Sequence, residues 1–418
     1  MLLSHKTSVK LNKDYSNIIG HMCYAAYKLW NVCNYERLHY KEIGLNAYPD
    51  WYYQKKSHKN DLWYKNLPSQ TAQEVCKLLD KSWKSFYKLV KTHGVANPHP
   101  PKFKHSKMPV TYMQNGIVHT PGSDMVRLSI SKQMKDYMSK AYGISENYIY
   151  LKNQIFKSTD NIKQIKIYPP VNENCDIIVI YEIEDIDTLP DNGRYLSIDL
   201  GIHNLMACYN SISGETFIIG RKYLSLCHYY NKEIARMQSQ WSRIQSSKGV
   251  KHPKPSKHIS KLYVRKNNAI NDYLHKITRY IADYCHGNNI NTVVIGDITK
   301  IRKNKDCGKV TNQKLHALPY KKLYIMLKYK LVLYGINFIL QKEAYSNQTS
   351  PLMDTVCKQN ANKDNRVKRG LYVDGGYNWN ADSVGAFNIL RLYFQKQKID
   401  TRLNPVSILT PKIIKVAA

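Results

Sequence analysis

Three short apolar strands in close succession constrain this chain more than any other feature: YLSIDLG from residue 195, NLMACYN from 204 and ETFIIG from 215. A helical stretch, YLSLCHYYNKEIARMQSQW, follows. The basic linker SSKGVKHPKPSKH then leads to a second helix with Ile270, Leu274, Ile277, Ile281 and Tyr284 in phase. Beyond it come the strand NTVVIGD, the helix YKKLYIMLKYKLVLYG, the strand INFILQKEA, an irregular insert over 345–378 and the helix NADSVGAFNILRLYF. A three-strand meander followed by α/β alternation is the order of an RNase H-like fold.

The preceding half reads differently. KTSVKL near the start alternates as a strand does. IIGHMCYAAYKLWNVC then places Ile19, Met22, Cys23, Ala26, Leu29, Trp30 and Cys33 on one helical face. PSQTAQEVCKLLDKSWKSFYKLVK repeats the pattern with Ala72, Val75, Cys76, Leu79, Trp83, Phe86 and Val90, and Thr71 with Glu74 has the spacing of a capping box. After the Pro- and Lys-rich HGVANPHPPKFKHSK the texture turns to strands: VTYMQNGIVH with an Asn-Gly turn signal, MVRLSIS, IKQIKIYPP and CDIIVIYEIE.

Charge narrows the partner. Sixty-three Lys and Arg against 31 Asp and Glu give a net charge of +32, a self-repulsion that a polyanion relieves, and nucleic acid is the expected one. No apolar run approaches the length that spans a bilayer, and MLLSHK is short for a signal peptide, so a cytoplasmic protein with no membrane partner is expected. The nine cysteines are scattered singly without a CxxC pair, which argues for reduced structural thiols rather than thiolate-bound zinc.

Against this basic background a few acids stand out by position. Asp199 ends the first strand of the meander, Asp297 the fourth strand and Glu343 the fifth, while Asp382 opens the last helix on a face shared with Gly385, Ala386 and Ile389. Carboxylates brought to one sheet edge repel unless a cation neutralises them. Mg²⁺ or Mn²⁺ suits an all-oxygen site, and a pair of such ions stabilises both oxygens of phosphodiester cleavage. Singly, each acid also reads as a strand-end or helix-cap residue, Asp382 especially.

LSIDLGIHNLMA and WNADSVGAFNILR, with LPSQTAQEV, PPKFK, LPYKKLYIMLKYKLVLYGI and RVKRGLY, resemble the TnpB (OrfB-type) proteins of bacterial insertion sequences, relatives of the type V CRISPR effector nucleases. The resemblance covers nearly the whole chain. It implies a RuvC nuclease domain behind a β-barrel wedge domain with a helical recognition insert. The divisions it implies are a first wedge strand over 1–12, recognition helices over 13–100, the wedge over 101–190, the first part of the RuvC domain over 191–344, an insert that loads the target strand over 345–378, the third-motif helix over 379–400 and a tail over 401–418. It also implies a guide RNA from the transposon end, double-stranded target DNA, and cleavage beside a short flanking motif, the protein reading the motif and base pairing the sequence. Two departures matter. Where the family carries a second-motif glutamate this chain has Gly296, and strand alternation turns Asp297 to the other face, so the expected catalytic and metal-binding set is Asp199, Glu343 and Asp382 with Asp297 in reserve. Where many relatives carry a four-cysteine zinc ribbon the insert has Cys357 alone. Arg366, Lys368 and Arg369 are expected to grip the entering DNA strand. By resemblance Gln70, Gln73 and Gln114 lie near the reader of the flanking motif, where an amide pairs with adenine. The alternative to an RNA-guided, Mg²⁺-dependent endonuclease is a guide-bound repressor that binds DNA without cutting it.

Overall fold

The computed structural model describes residues 1–299, 306, 308–400, 403–405 and 408–417. The chain divides into two units, Met1–Asp185 and Ile186–Ala418.

In the first unit β1 (Leu2–Lys10) leads into α1 (Lys13–Leu38), which is capped by the Asn12 side chain. The helical part continues with α2 (Trp51–Ser57), α3 (Leu62–Lys65) and α4 (Ser69–Thr92). All seven apolar positions assigned to α1 are buried. On α4 the stripe is buried only as far as Trp83; Phe86 is half-buried and Val90 exposed. The expected capping box does not form. Pro68 precedes the first turn, Thr71 is buried inside the helix, and Glu74 pairs with Lys77.

A polar network ties these helices together. Arg37 donates to Gln54 Oε1 at 2.9 Å and pairs with Asp80 at 3.0 Å, and Gln54 Nε2 donates to Glu36 at 2.7 Å. His58 stands 3.1 Å from Glu36 and 2.5 Å from Asp61. Burial opposes the imidazolium, but these two carboxylates outweigh it and push the His58 pKa up to about 9. A histidine raised above its unfolded value stabilises fully below about pH 6.5 and loses that contribution as pH climbs through the folded value. Denaturant unfolding followed from pH 6 to 10 is therefore expected to show a loss of at most about 3 kcal/mol, absent in His58→Gln.

The β part holds β2 (Val110–Met113), β3 (Ile117–His119), β4 (Met125–Ser129), α5 (Lys132–Tyr142), β5 (Tyr148–Lys152), β6 (Asn161–Ile167) and β7 (Asn174–Glu182). These strands pair as two antiparallel sheets, β1-β7-β6-β2 and β3-β4-β5, rather than as one closed barrel. Asn115-Gly116 sits where the chain changes sheet. It lies in a 3₁₀ turn that passes the chain from β2, paired with β6, to β3, paired with β4, instead of folding it back as a hairpin. Helix α5 was not apparent within the strand-rich texture, though Ser131 caps its start and Gly143, at φ 67°, ends it.

The second unit contains the meander β8 (Tyr195–Asp199), β9 (Met206–Asn210) and β10 (Thr216–Ile219), then α6 (Lys222–Ser246) and α7 (Lys257–Gly287). β11 (Thr292–Gly296), α8 (Lys309–Ala317), α9 (Tyr320–Val332) and β12 (Asn337–Gln341) follow. A hairpin of β13 (Leu371–Asp374) and β14 (Tyr377–Asn380) precedes α10 (Ala381–Gln397), and β15 (Lys412–Ile414) comes last. One six-stranded sheet runs β12-β11-β8-β9-β10-β15; β8, β11 and β12 are parallel, and β9 is antiparallel to both neighbours. The tail supplies an edge strand, since β15 pairs in parallel with β10. Side-chain parity divides the sheet. Leu196, Ile198, Val293 and Ile295 pack with α7 and α9 residues on one face, while Tyr195, Tyr209 and Val294 pack with α10 on the other.

Candidate active site

Parity also decides where the acids go. Asp199 shares its face with Tyr195 and with Ser197, whose hydroxyl donates to the Ala386 carbonyl of α10 at 2.7 Å. Gly296 falls on the same face as Val294, and Glu343, two residues past the end of β12, continues the side of Ile339. Asp297 falls on the opposite face. Tyr324 of α9 fixes that turn, donating to the Gly296 carbonyl at 2.6 Å and accepting from the Ile298 amide at 3.1 Å, and the Asp297 carboxylate accepts from the Thr299 amide at 2.9 Å.

Two glycines make room for the acids. A Cβ at Gly296 would collide with Glu343 Oε2 and stand 3.0 Å from the Ile389 side chain. A Cβ at Gly385 would collide with Asp199 Oδ2 and reach 2.6 Å from Asn347 Oδ1. The bare backbone of Gly296 leaves the space that the Glu343 carboxylate occupies. Gly385 lets α10 approach β8 closely over a buried acid.

Asp382 is not the cap of α10. The Asn380 side chain accepts from the Asp382 and Ser383 amides, which frees the Asp382 carboxylate. Asn204 Nδ2 donates to Asp382 Oδ2 at 2.6 Å, Arg221 Nε donates to Asn204 Oδ1 at 2.9 Å, and Arg366 stands 3.6 Å from Asp382 Oδ1. The three acids share one electrostatic neighbourhood. Burial raises the Asp199 pKa well above the carboxylate range, Glu343 and then Asp382 raise it further, and Arg366 and the Leu200 amide oppose them. As they lie, no group of three or more His, Cys, Asp and Glu among the described residues is gathered tightly enough to hold a metal ion; Asp382 is engaged by Arg366 and Asn204. The donor chemistry still fits a hard divalent cation: all oxygens, like-charged, with one carboxylate buried against its own ionisation.

Residues that the sequence alone did not single out complete the edge. Asn204 positions Asp382, as described. His203 has its Nε2 buried without a partner, and burial together with Arg369 and Lys314 lowers its pKa, which keeps the ring neutral. Their only signal was adjacency to the first acid in IDLGIHN.

The insert contains a hairpin rather than an irregular loop, with Gly375 at φ 53° and Gly376 at φ 80° making its turn. Tyr377 stacks on Trp379, and Tyr372 donates to the Gln348 carbonyl at 3.1 Å. Buried Asn388 of α10 donates to the Ser346 and Thr349 carbonyls at 2.8 and 2.7 Å, and Arg391 donates to Ser350 and Met353. Asn388→Ala leaves those carbonyls unmatched and is expected to cost about 2 kcal/mol, read by thermal unfolding. Lys368 and Arg369 are exposed on this insert and Arg366 is half-buried; Cys357 is partly exposed.

In the first unit Gln70 lines a cleft of about 140 Å³ with Ser69, Thr71, Tyr112 and Asn115. Gln114 is exposed next to Asn115, whereas Gln73 is engaged by the Tyr64 hydroxyl.

Comparison with known proteins bears on this arrangement. Residues 178–302 match the OrfB_IS605 family, described as a probable transposase. Residues 320–389 match the Cas12f1-like TNB domain. These matches are consistent with a TnpB-like protein. The Cas12f1–sgRNA–target DNA complex aligns with a TM-score of 0.56 at 14% identity, covering 90% of this chain and 83% of that one, which shows a shared fold. The mini-RNA-guided endonuclease CRISPR-Cas phi3 aligns with a TM-score of 0.43 at 10% identity, covering 94% and 92%. No curated protein matches. Among the described residues no helix is long and apolar enough to cross a membrane.

Proposed function

We propose that this TnpB-like chain is an RNA-guided DNA endonuclease with an RNase H-like RuvC site made of Asp199, Glu343 and Asp382. The observation that carries the proposal is the fit of the Glu343 carboxylate into the space left by Gly296, on the sheet face that also bears Asp199. A glutamate from the neighbouring strand end thereby stands in for the one the family carries at position 296.

The three carboxylates would hold Mg²⁺ or Mn²⁺. A bound divalent cation supplies Lewis acidity toward the phosphate oxygens and a water ionised near neutral pH. The chain's own residues do the remainder. Asn204, braced by Arg221, orients Asp382; Arg366 and Arg369 offer guanidinium groups to the scissile strand's phosphates. No serine or cysteine nucleophile is needed. The two N-terminal sheets and their helices would serve as wedge and recognition elements for guide RNA and flanking duplex, with the cleft at Gln70 and Asn115 as the reader of the motif and Gln114 beside it. Double-stranded DNA next to that motif would be the substrate, and the +32 charge supports a polyanionic partner.

One observation favours a second reading, a guide-bound repressor: Arg366 pairs with Asp382 and the acids are not gathered on one point. A single experiment separates the two. The protein is co-expressed with its flanking locus, the bound RNA is sequenced, and plasmids matching that RNA are tested with Mg²⁺. Linearised plasmid supports the nuclease; guide-dependent binding with intact plasmid supports the repressor.

A further inference from the structure

A cavity of about 490 Å³ lies among the helices of the first unit, and none of its lining residues has been given a role above. Its lining includes His21 and Tyr24 of α1, Trp63 and Asn66 of and after α3, Lys107, and Tyr137 of α5. We propose that this cavity seats one unstacked adenine base of a single-stranded nucleic acid. The inference rests on the nucleic-acid partnership of the proposed function but not on cleavage.

Size and walls come first. The volume falls in the range of about 300 to 1,000 Å³ that holds small ligands. Tyr24 and Trp63 meet edge-to-face with centroids 5.7 Å apart, and His21 sits edge-on to Tyr137 at 5.3 Å, so two aromatic pairs line the space. Aromatic rings in this number suit the π-face of a base, which proteins commonly stack in this way. Burial and then the Lys107 ammonium lower the His21 pKa, so Lys107 is the cationic group of the lining.

The polar groups narrow the choice. Asn66 is 9% exposed, and its Oδ1 is buried without a hydrogen-bond partner. An enclosed carboxamide with unused capacity is costly unless something pairs with it. Its donor and acceptor stand side by side, the pattern that pairs bidentately with adenine, whereas guanine's acceptor edge calls for Arg or Lys. At the rim, Lys107 is exposed, makes no ion pair among the described residues, and brings its ammonium to within 3.2 Å of where a Cβ on Gly20 would stand. Lys28 lies 6.0 Å over the Trp63 ring. Ammonium groups beside an aromatic slot suit the phosphate attached to a seated base.

The test uses full-length protein freed of nucleic acid and fluorescent octamers: oligoriboadenylate, oligoribouridylate, an abasic strand and oligodeoxyadenylate. Anisotropy is read at high salt, where phosphate contacts weaken. Wild type is expected to prefer adenylate over uridylate and abasic strands by about tenfold, the discrimination of one bidentate pair. Asn66→Ala should bring that ratio to about one while melting as wild type does, and Asn66→Asp, which keeps the shape but loses the donor, should do the same. Lys107→Ala should weaken all octamers alike. A lead of the ribo- over the deoxyadenylate, or the reverse, would assign the base to guide or target and supports the proposal in either case. Equal affinity of wild type for all octamers, a preference for uridylate, or an adenylate preference that survives Asn66→Ala overturns it. Binding without base preference sinks the pocket alone; absence of binding to any octamer at any salt sinks the nucleic-acid partnership as well.

Discussion

Glu343→Gln is expected to lower plasmid cleavage by roughly 10²- to 10³-fold, the range for losing one electrostatic contact to charge developing in a transition state, while guide-dependent DNA binding is retained. Asp199→Asn and Asp382→Asn should do the same, and Asp297→Asn should leave cleavage within about twofold, because its side chain serves the turn after β11 on the opposite face. Stability moves the other way. Asp199 is buried beside two acids, and its folded-state pKa is raised by burial and then by Glu343 and Asp382. An acid raised above its unfolded value costs little well below about pH 4, and its penalty grows as pH rises above that value. Without divalent cation at neutral pH, Asp199→Asn is therefore expected to melt about 2 to 4 °C higher than wild type. Such a gain on removing the charge is the thermodynamic result expected of a functional acid.

Gly385→Ala is the second large effect, and here stability and activity fall together. The added methyl group meets Asp199 Oδ2 and Asn347 Oδ1, and α10 cannot retreat easily because the Ser197 hydroxyl holds the Ala386 carbonyl at 2.7 Å. Overpacking of this kind costs about 1 to 3 kcal/mol. Thermal unfolding should show that loss, and cleavage should fall at temperatures where the variant is still folded. The control is Gly376→Ala: no atom stands within 4 Å of its Cβ, so only the cost of its positive φ is expected and cleavage should persist.

Part of the candidate site was legible in the sequence because strand alternation sets which face a residue takes. Asp297 falls on the face opposite position 296 by that count, whereas Glu343 was placed by its position at the end of the neighbouring strand and by a side chain long enough to reach across. What parity could not give is distance. That the Glu343 carboxylate fills the volume a Cβ would take at Gly296 depends on how the turn after β12 folds back, and no local pattern encodes that. Asp382 was open to a second interpretation, as a helix cap, and the nearby Asn380 resolves it by taking the cap itself. Other elements carried signals that stronger neighbours obscured. Asp374-Gly375-Gly376 between two alternating runs is a hairpin signature inside what read as an irregular insert. Ser131 and Gly143 bracket α5 among strands. The capping box at Thr71 and Glu74 failed for a tertiary reason, since the helix begins earlier, at Ser69, and buries Thr71 in the core. The pairing of β15 with β10 joins residues nearly two hundred positions apart, which periodicity cannot foresee.

Titration with Mn²⁺, followed by the loss of the free ion's paramagnetic resonance signal, tests the three-acid centre most directly. Wild type should take up the ion, and Asp199→Asn, Glu343→Gln and Asp382→Asn should each abolish or sharply weaken that uptake while Asp297→Asn leaves it intact. Uptake that survives Glu343→Gln but disappears in Asp297→Asn would contradict the account.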